Sequence, residues 1–241
     1  MHSLKLSEMS KQKQKEVKTQ QQLENIEETL TKTEEFIVNN QNTLTIVVIV
    51  LIAIVLGFFG VKKYYLEPKN KVAQEQIFPA QRYFEADSLD KALYGDGNSL
   101  GFVDIAKNYS ITKAGNLANY YAGICFLKKG NFDQAIHYLS DFDNDDEMVA
   151  PMAKGALGDA YLEKGNKEKA LSYYKSAAQL RDNEFTSPLF WLKAGELDEE
   201  MGQYNDAIAS YTTIKEKYFK SEEARNIDKY IARAKAAKAN Q

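Results

Sequence analysis

The residues whose types invite chemistry are two histidines, a single cysteine and one dense run of carboxylates. His2 and His137 are far apart in the chain, and no cluster with metal-ligand spacing accompanies either, so neither is assigned a metal or a proton to move. His137 reads as a surface position on a helix. Cys125 sits among Ile124, Phe126 and Leu127, where a thiol packs as a small hydrophobe. With no second cysteine there is no intramolecular disulfide and no Cys-rich zinc site. Asp143, Asp145, Asp146 and Glu147 crowd one linker, but the central glycine and closing glutamate of a calcium loop are missing, and the run reads as a solvated acidic loop. Gly95 and Gly97 are not followed by Gly-Lys-Ser/Thr and make a turn, not a phosphate loop. No acid, base, nucleophile or cofactor motif converges, so the expectation is a chain that is not an enzyme and uses no cofactor.

Charge and hydropathy point elsewhere. Thirty-one Lys and Arg against thirty-four Asp and Glu give a formal charge of −3, without the basic excess that nucleic-acid binding requires. The mean hydropathy of −0.49 hides a contrast. Between Glu35 and Lys62 there is no ionisable side chain, and Leu44 to Val61 is apolar apart from Thr45. Eighteen residues rise about 27 Å as a helix, close to the thickness of a hydrocarbon core. Residues 43–66 therefore read as one transmembrane helix. Some forty polar residues precede it, and Phe58, Phe59, Tyr64 and Tyr65 follow, so it is an uncleaved anchor and not a signal peptide. Tyr64 and Tyr65 suit the membrane interface, with Lys62 and Lys63 at the headgroups. Orientation stays open on charge alone: Lys62, Lys63, Lys69 and Lys71 favour a cytoplasmic C-terminal domain, five upstream lysines oppose that, and large domains translocate largely regardless of flanking charge. Residues 1–42, rich in Lys, Glu and Gln, read as a solvated tail, partly helical where Leu23, Ile26 and Leu30 fall at helical spacing.

Beyond the span the chain repeats itself. Gly123, Gly158 and Gly195 lie 35 and 37 residues apart. The same steps separate Gly130, Gly165 and Gly202 at a turn, Ala135, Ala170 and Ala207 at a small-residue site, and Leu139, Tyr174 and Tyr211 four places on. This matches the tetratricopeptide pattern W-x2-L-G-x2-Y, then A-x3-F. The first unit departs from it with Asn119 and Phe126, the third with Asp198 at the Tyr position. Small residues let paired helices approach, and Pro151 and Pro188 read as first helical residues.

The fold class expected is all-α, a single N-terminal transmembrane helix followed by a tetratricopeptide-repeat helical solenoid. Residues 67–111 form a degenerate helical pair capping it, with a helix over 69–94 that Pro79 kinks. Residues 112–220 hold three repeats (about 116–149, 151–186 and 188–220), and 221–241 a C-terminal capping helix. The repeat register puts the first helix of each pair on a concave face carrying Leu117, Tyr120, Ile124, Leu127 and Lys128, then Met152, Asp159, Leu162 and Glu163, then Leu189, Leu192, Glu196, Glu199 and Glu200. Lys and Asn of the kind that grip a peptide's terminal carboxylate are nearly absent. The expected ligand is a segment with apolar anchors and some positive charge, held at the acidic end of the groove.

The run EEFIVNNQNTLTIVV from Glu34 to Val48, the single span, the segment FPAQRYFEADSLDKAL from Phe78 and the repeats together resemble the YfgM-like family of ancillary Sec-translocon subunits, in its Bacteroidetes-type form. The resemblance implies a bacterial inner-membrane protein with its N-terminus in the cytoplasm and its repeats in the periplasm. It also implies association with the SecYEG translocon, with a membrane-anchored periplasmic prolyl-isomerase-type chaperone, and with secretory or membrane protein clients. The alternative is a scaffold or adaptor for another cell-envelope complex.

Overall fold

The computed structural model describes residues 36–240, which divide between two units, Met1–Lys63 and Tyr64–Gln241. The expected helical stretch around Leu23 to Leu30, and most of the polar tail, lie outside the described residues. All regular structure among the described residues is helical.

In the first unit, α1 (Gln41–Val61) has no ionisable residue and buries none of its side chains. A soluble amphipathic helix hides one stripe and wets the other, whereas α1 is apolar all round. It belongs to a helical stretch long and apolar enough to cross a membrane. A π-helical turn, Lys62–Leu66, follows.

The second unit is an array of antiparallel helices: α2 (Glu67–Glu85), α3 (Leu89–Tyr94), α4 (Phe102–Asn108), α5 (Lys113–Lys128), α6 (Phe132–Asp141), α7 (Val149–Glu163), α8 (Lys167–Leu180), α9 (Thr186–Glu200), α10 (Tyr204–Lys217), a 3-10 turn (Glu223–Asn226) and α11 (Ile227–Ala239). Each helix from α5 onward packs on the next, α5 with α6, α7 with α8, α9 with α10, and on to α11, as a tetratricopeptide array requires. Glycine permits the close approach within a pair. A Cβ on Gly158 would meet the Tyr174 ring at 2.6 Å, and one on Gly195 the Tyr211 ring at 2.4 Å.

Two expectations are corrected. Pro151 and Pro188 are the third residues of α7 and α9, not the first. An N–H at that position also lacks an acceptor four residues back, so proline is tolerated there for the same reason. Asp146 and Asn183, 37 residues apart, accept the backbone N–H groups of Met148 and Val149 and of Phe185 and Thr186, and so supply the caps. The second correction is upstream. Pro79 lies inside α2, whose neighbouring turns are held by buried Ala73, Ile77 and Ala80. The helix ends at Glu85 instead. Ser88 N–H bonds to the Tyr83 carbonyl and Asp87 N–H to that of Phe84, with Asp87 at φ 53°. This Schellman ending recurs with glycine after α5, α7 and α9: Gly130 N–H to Leu127 and Asn131 N–H to Phe126, then Gly165 to Leu162 and Asn166 to Tyr161, then Gly202 to Glu199 and Gln203 to Asp198. Counting from that turn, Ala80, Tyr83 and Ala92 occupy the places of Gly158, Tyr161 and Ala170, and both alanines are fully buried. The pair α2 and α3 thus repeats the spacing of the later pairs, with aspartate where they use glycine.

Candidate protein-binding groove

None of the fourteen residues predicted for the concave face is buried. In each of α5, α7 and α9 the opposite side carries the core, with Ala118, Ala122 and Phe126, then Ala153, Leu157 and Ala160, then Phe190, Ala194 and Leu197. Leu127, Asp159, Leu162 and Glu163 line one cavity of about 540 Å³ together with Lys128, Gly130, Phe132 and Lys193. Leu117, Tyr120 and Ile124 pack against the first core cluster, Leu189 against the second and Leu192 against the third. Tyr120 leans towards the end of α6, its ring 5.5 Å from that of Phe142, and does not line the cavity. Met152 is exposed.

The acids are less free than their types suggest. Asp159 accepts hydrogen bonds from Tyr174 Oη at 2.6 Å and from Lys193 Nζ at 2.7 Å. Glu199 accepts from Tyr211 Oη at 2.6 Å and from both Nε and a terminal nitrogen of Arg233. Burial pushes the Glu199 carboxyl up, but these hydrogen bonds outweigh it and the net shift is down. Glu200 pairs with Lys167 at 2.7 Å. Among the described residues neither Glu163 nor Glu196 forms an ion pair, and burial raises the Glu196 carboxyl in spite of the nearby charges of Arg233 and Lys193.

The groove carries cations beyond the expected Lys128. Lys128, bonded to Asp87, and Lys193, bonded to Asp159, both line the cavity. Lys193 had a signal: it stands two places before Gly195, facing Asp159, which stands one place after Gly158. Such links stitch neighbouring pairs at several seams. Lys129 with Asp90 and Lys164 with Asp133 occupy equivalent positions, and Lys217 with Tyr218 holds Asp182.

Asp198, at the Tyr position of its repeat, is fully buried in the seam with α8. One oxygen accepts a hydrogen bond from Lys175 Nζ at 3.1 Å, and the other lies 3.1 Å from the same nitrogen without forming one. Burial holds the Asp198 carboxyl above its ordinary range, with Lys175 opposing. Cys125 is buried in the core, and burial pushes its thiol up to about 12. His137 is exposed, 3.7 Å from Asp141 on the next turn. Among the described residues no group of three His, Cys, Asp or Glu is placed to hold a metal ion.

Tetratricopeptide repeat family models match residues 153–184 and 190–221, the second and third repeats. No curated protein matches the chain. The helical array around those segments is of the tetratricopeptide type, and such repeats indicate a scaffold for contacts between proteins.

Proposed function

We propose that the protein is a non-enzymatic, single-pass membrane scaffold that holds segments of partner proteins in the groove of α5, α7 and α9. The site is formed by Leu117, Tyr120, Ile124, Leu127, Met152, Asp159, Leu162, Glu163, Leu189, Leu192, Glu196, Glu199 and Glu200. The observation that carries this reading is the division of labour on those three helices: one side fills the cores, while the thirteen inner positions all keep exposed surface. A groove that needs only apolar anchors and a few polar groups suits an extended or helical segment. The apolar α1 supports the anchor.

The finer proposal follows from the resemblance in the juxtamembrane run Glu34 to Val48 and the segment from Phe78. On that basis the protein is an ancillary subunit of the SecYEG translocon in the bacterial inner membrane, N-terminus in the cytoplasm and repeats in the periplasm. It links the channel to a membrane-anchored prolyl-isomerase-type chaperone and to emerging secretory or membrane protein clients. Extraction of membranes in mild detergent with a tagged full chain, followed by mass spectrometry of co-purifying proteins, tests this. SecYEG subunits and a prolyl isomerase should dominate. Their absence, with another envelope assembly enriched, contradicts the translocon assignment and leaves a scaffold for that assembly.

A further inference from the structure

Of the five acids on the inner face, three are already engaged by side chains of this chain: Asp159 by Lys193 and Tyr174, Glu199 by Arg233 and Tyr211, Glu200 by Lys167. Glu163 and Glu196 are exposed and, among the described residues, form no ion pair. They border a common neighbour, since Lys193 lines the cavity with Glu163 and Glu196 stands three residues beyond Lys193 on the same helix, α9. The two cations of the cavity are each committed, Lys128 to Asp87 and Lys193 to Asp159. A ligand carboxylate would have to compete with Asp87 or Asp159, whereas a ligand cation meets two carboxylates that no ion pair among the described residues occupies. Leu127, Leu162 and Phe132 supply the apolar wall of the same cavity.

We infer that the groove selects protein segments that set an apolar side chain against Leu127 and Leu162 and a Lys or Arg beside Glu163 and Glu196. This rests on the groove reading above and narrows the cation site from the acidic end, Glu196, Glu199 and Glu200, to Glu163 and Glu196. Opposite charge raises encounter and fixes register, and the leucines supply the area that is removed from water.

Fluorescence anisotropy with the full chain in phosphatidylcholine nanodiscs, corrected for empty discs, is the test. The probes are three fluorescein-labelled twelve-residue peptides of leucine and serine that differ in carrying two lysines, two glutamines or two glutamates. The lysine peptide should bind roughly tenfold tighter than the glutamine peptide, the size expected of two partly exposed ion pairs. The double variant Glu163→Gln, Glu196→Gln should bring the two within about twofold, while Asp143→Asn with Asp145→Asn, which removes the same charge outside the groove, should leave the preference intact. Equal or tighter binding of the glutamate peptide overturns the inference but leaves the groove. So does a preference lost in the Asp143 and Asp145 variant. Binding of none of the three peptides overturns the groove reading itself.

Discussion

The second and third repeats share a backbone plan and differ at the pair that packs between their two helices. In the second, Tyr161 of α7 stacks on Tyr173 of α8, rings 5.3 Å apart and nearly parallel, as Phe126 stacks on Tyr138 one repeat earlier. In the third, both rings are gone. Asp198 and Ser210 take their places, both buried, and Lys175 reaches across from α8 to the carboxylate. What the two repeats keep is the small-residue contact, Gly158 under Tyr174 and Gly195 under Tyr211. Close approach of the helices therefore defines the repeat, and the contact beside it tolerates either a ring pair or an ion pair.

The largest effect should come from breaking what the repeats share. Gly195→Leu places a branched side chain where a single Cβ already meets Tyr211 at 2.4 Å, and Tyr211 is fully buried. Overpacking of this kind costs about 3 kcal/mol or more, read as loss of the cooperative denaturation of the repeats. The next test separates the repeats. Lys175→Met strands a fully buried carboxylate and should cost about 3 kcal/mol at neutral pH, because the group must either stay charged without its cation or take up a proton. Asp198→Asn leaves Lys175, a third exposed, free to turn to water, and should cost about 1 kcal/mol or less. Equal losses from the two would show that the seam does not depend on the buried charge.

The pH dependence sharpens the contrast. The carboxyl of Asp198, raised by burial, binds its proton more tightly folded than unfolded, so its contribution is greatest at low pH and is lost as pH rises through the raised value. Glu199 has the opposite sign. Its carboxyl is lowered on balance by Arg233 and Tyr211, so its contribution is present above the ordinary carboxylate range and lost as pH falls through the lowered value. Melting curves across acid pH should show Asp198→Asn removing a decline with rising pH, and Glu199→Gln removing a gain. Tyr174→Phe and Tyr211→Phe each give up one hydrogen bond to a carboxylate and should lower stability by about 1 to 2 kcal/mol, similarly in the two repeats.

The span and the later repeats were legible because their signals are compositional or periodic. An eighteen-residue apolar run has few readings, and glycines and alanines at a fixed step have a packing reason to recur. The break after α2 was hidden because Asp87 fills a place that glycine holds elsewhere, and Pro79 offered a more conspicuous interruption, read as a kink within one helix. Aspartate can adopt the left-handed conformation and end a helix as glycine does, so the spacing of Ala80, Tyr83 and Ala92 was the better guide. At the groove, register placed the inner positions, but residue type could not say which acids were already engaged. The partners of Asp159 and Glu199 come from other helices, Lys193 about one repeat ahead and Arg233 in the terminal helix. Likewise the odd Asp198 became intelligible only with Lys175 beside it.

The central claim is that partner proteins are held on the inner face of an anchored array. Photo-crosslinking in native membranes tests it most directly, with a benzophenone amino acid placed at Leu162 in the groove or at Ser172, exposed on α8. Adducts to other proteins should form from position 162 and fall when Glu163 and Glu196 are changed to Gln, with little adduct from position 172. Equal adducts from both positions, or none from 162, would contradict the account.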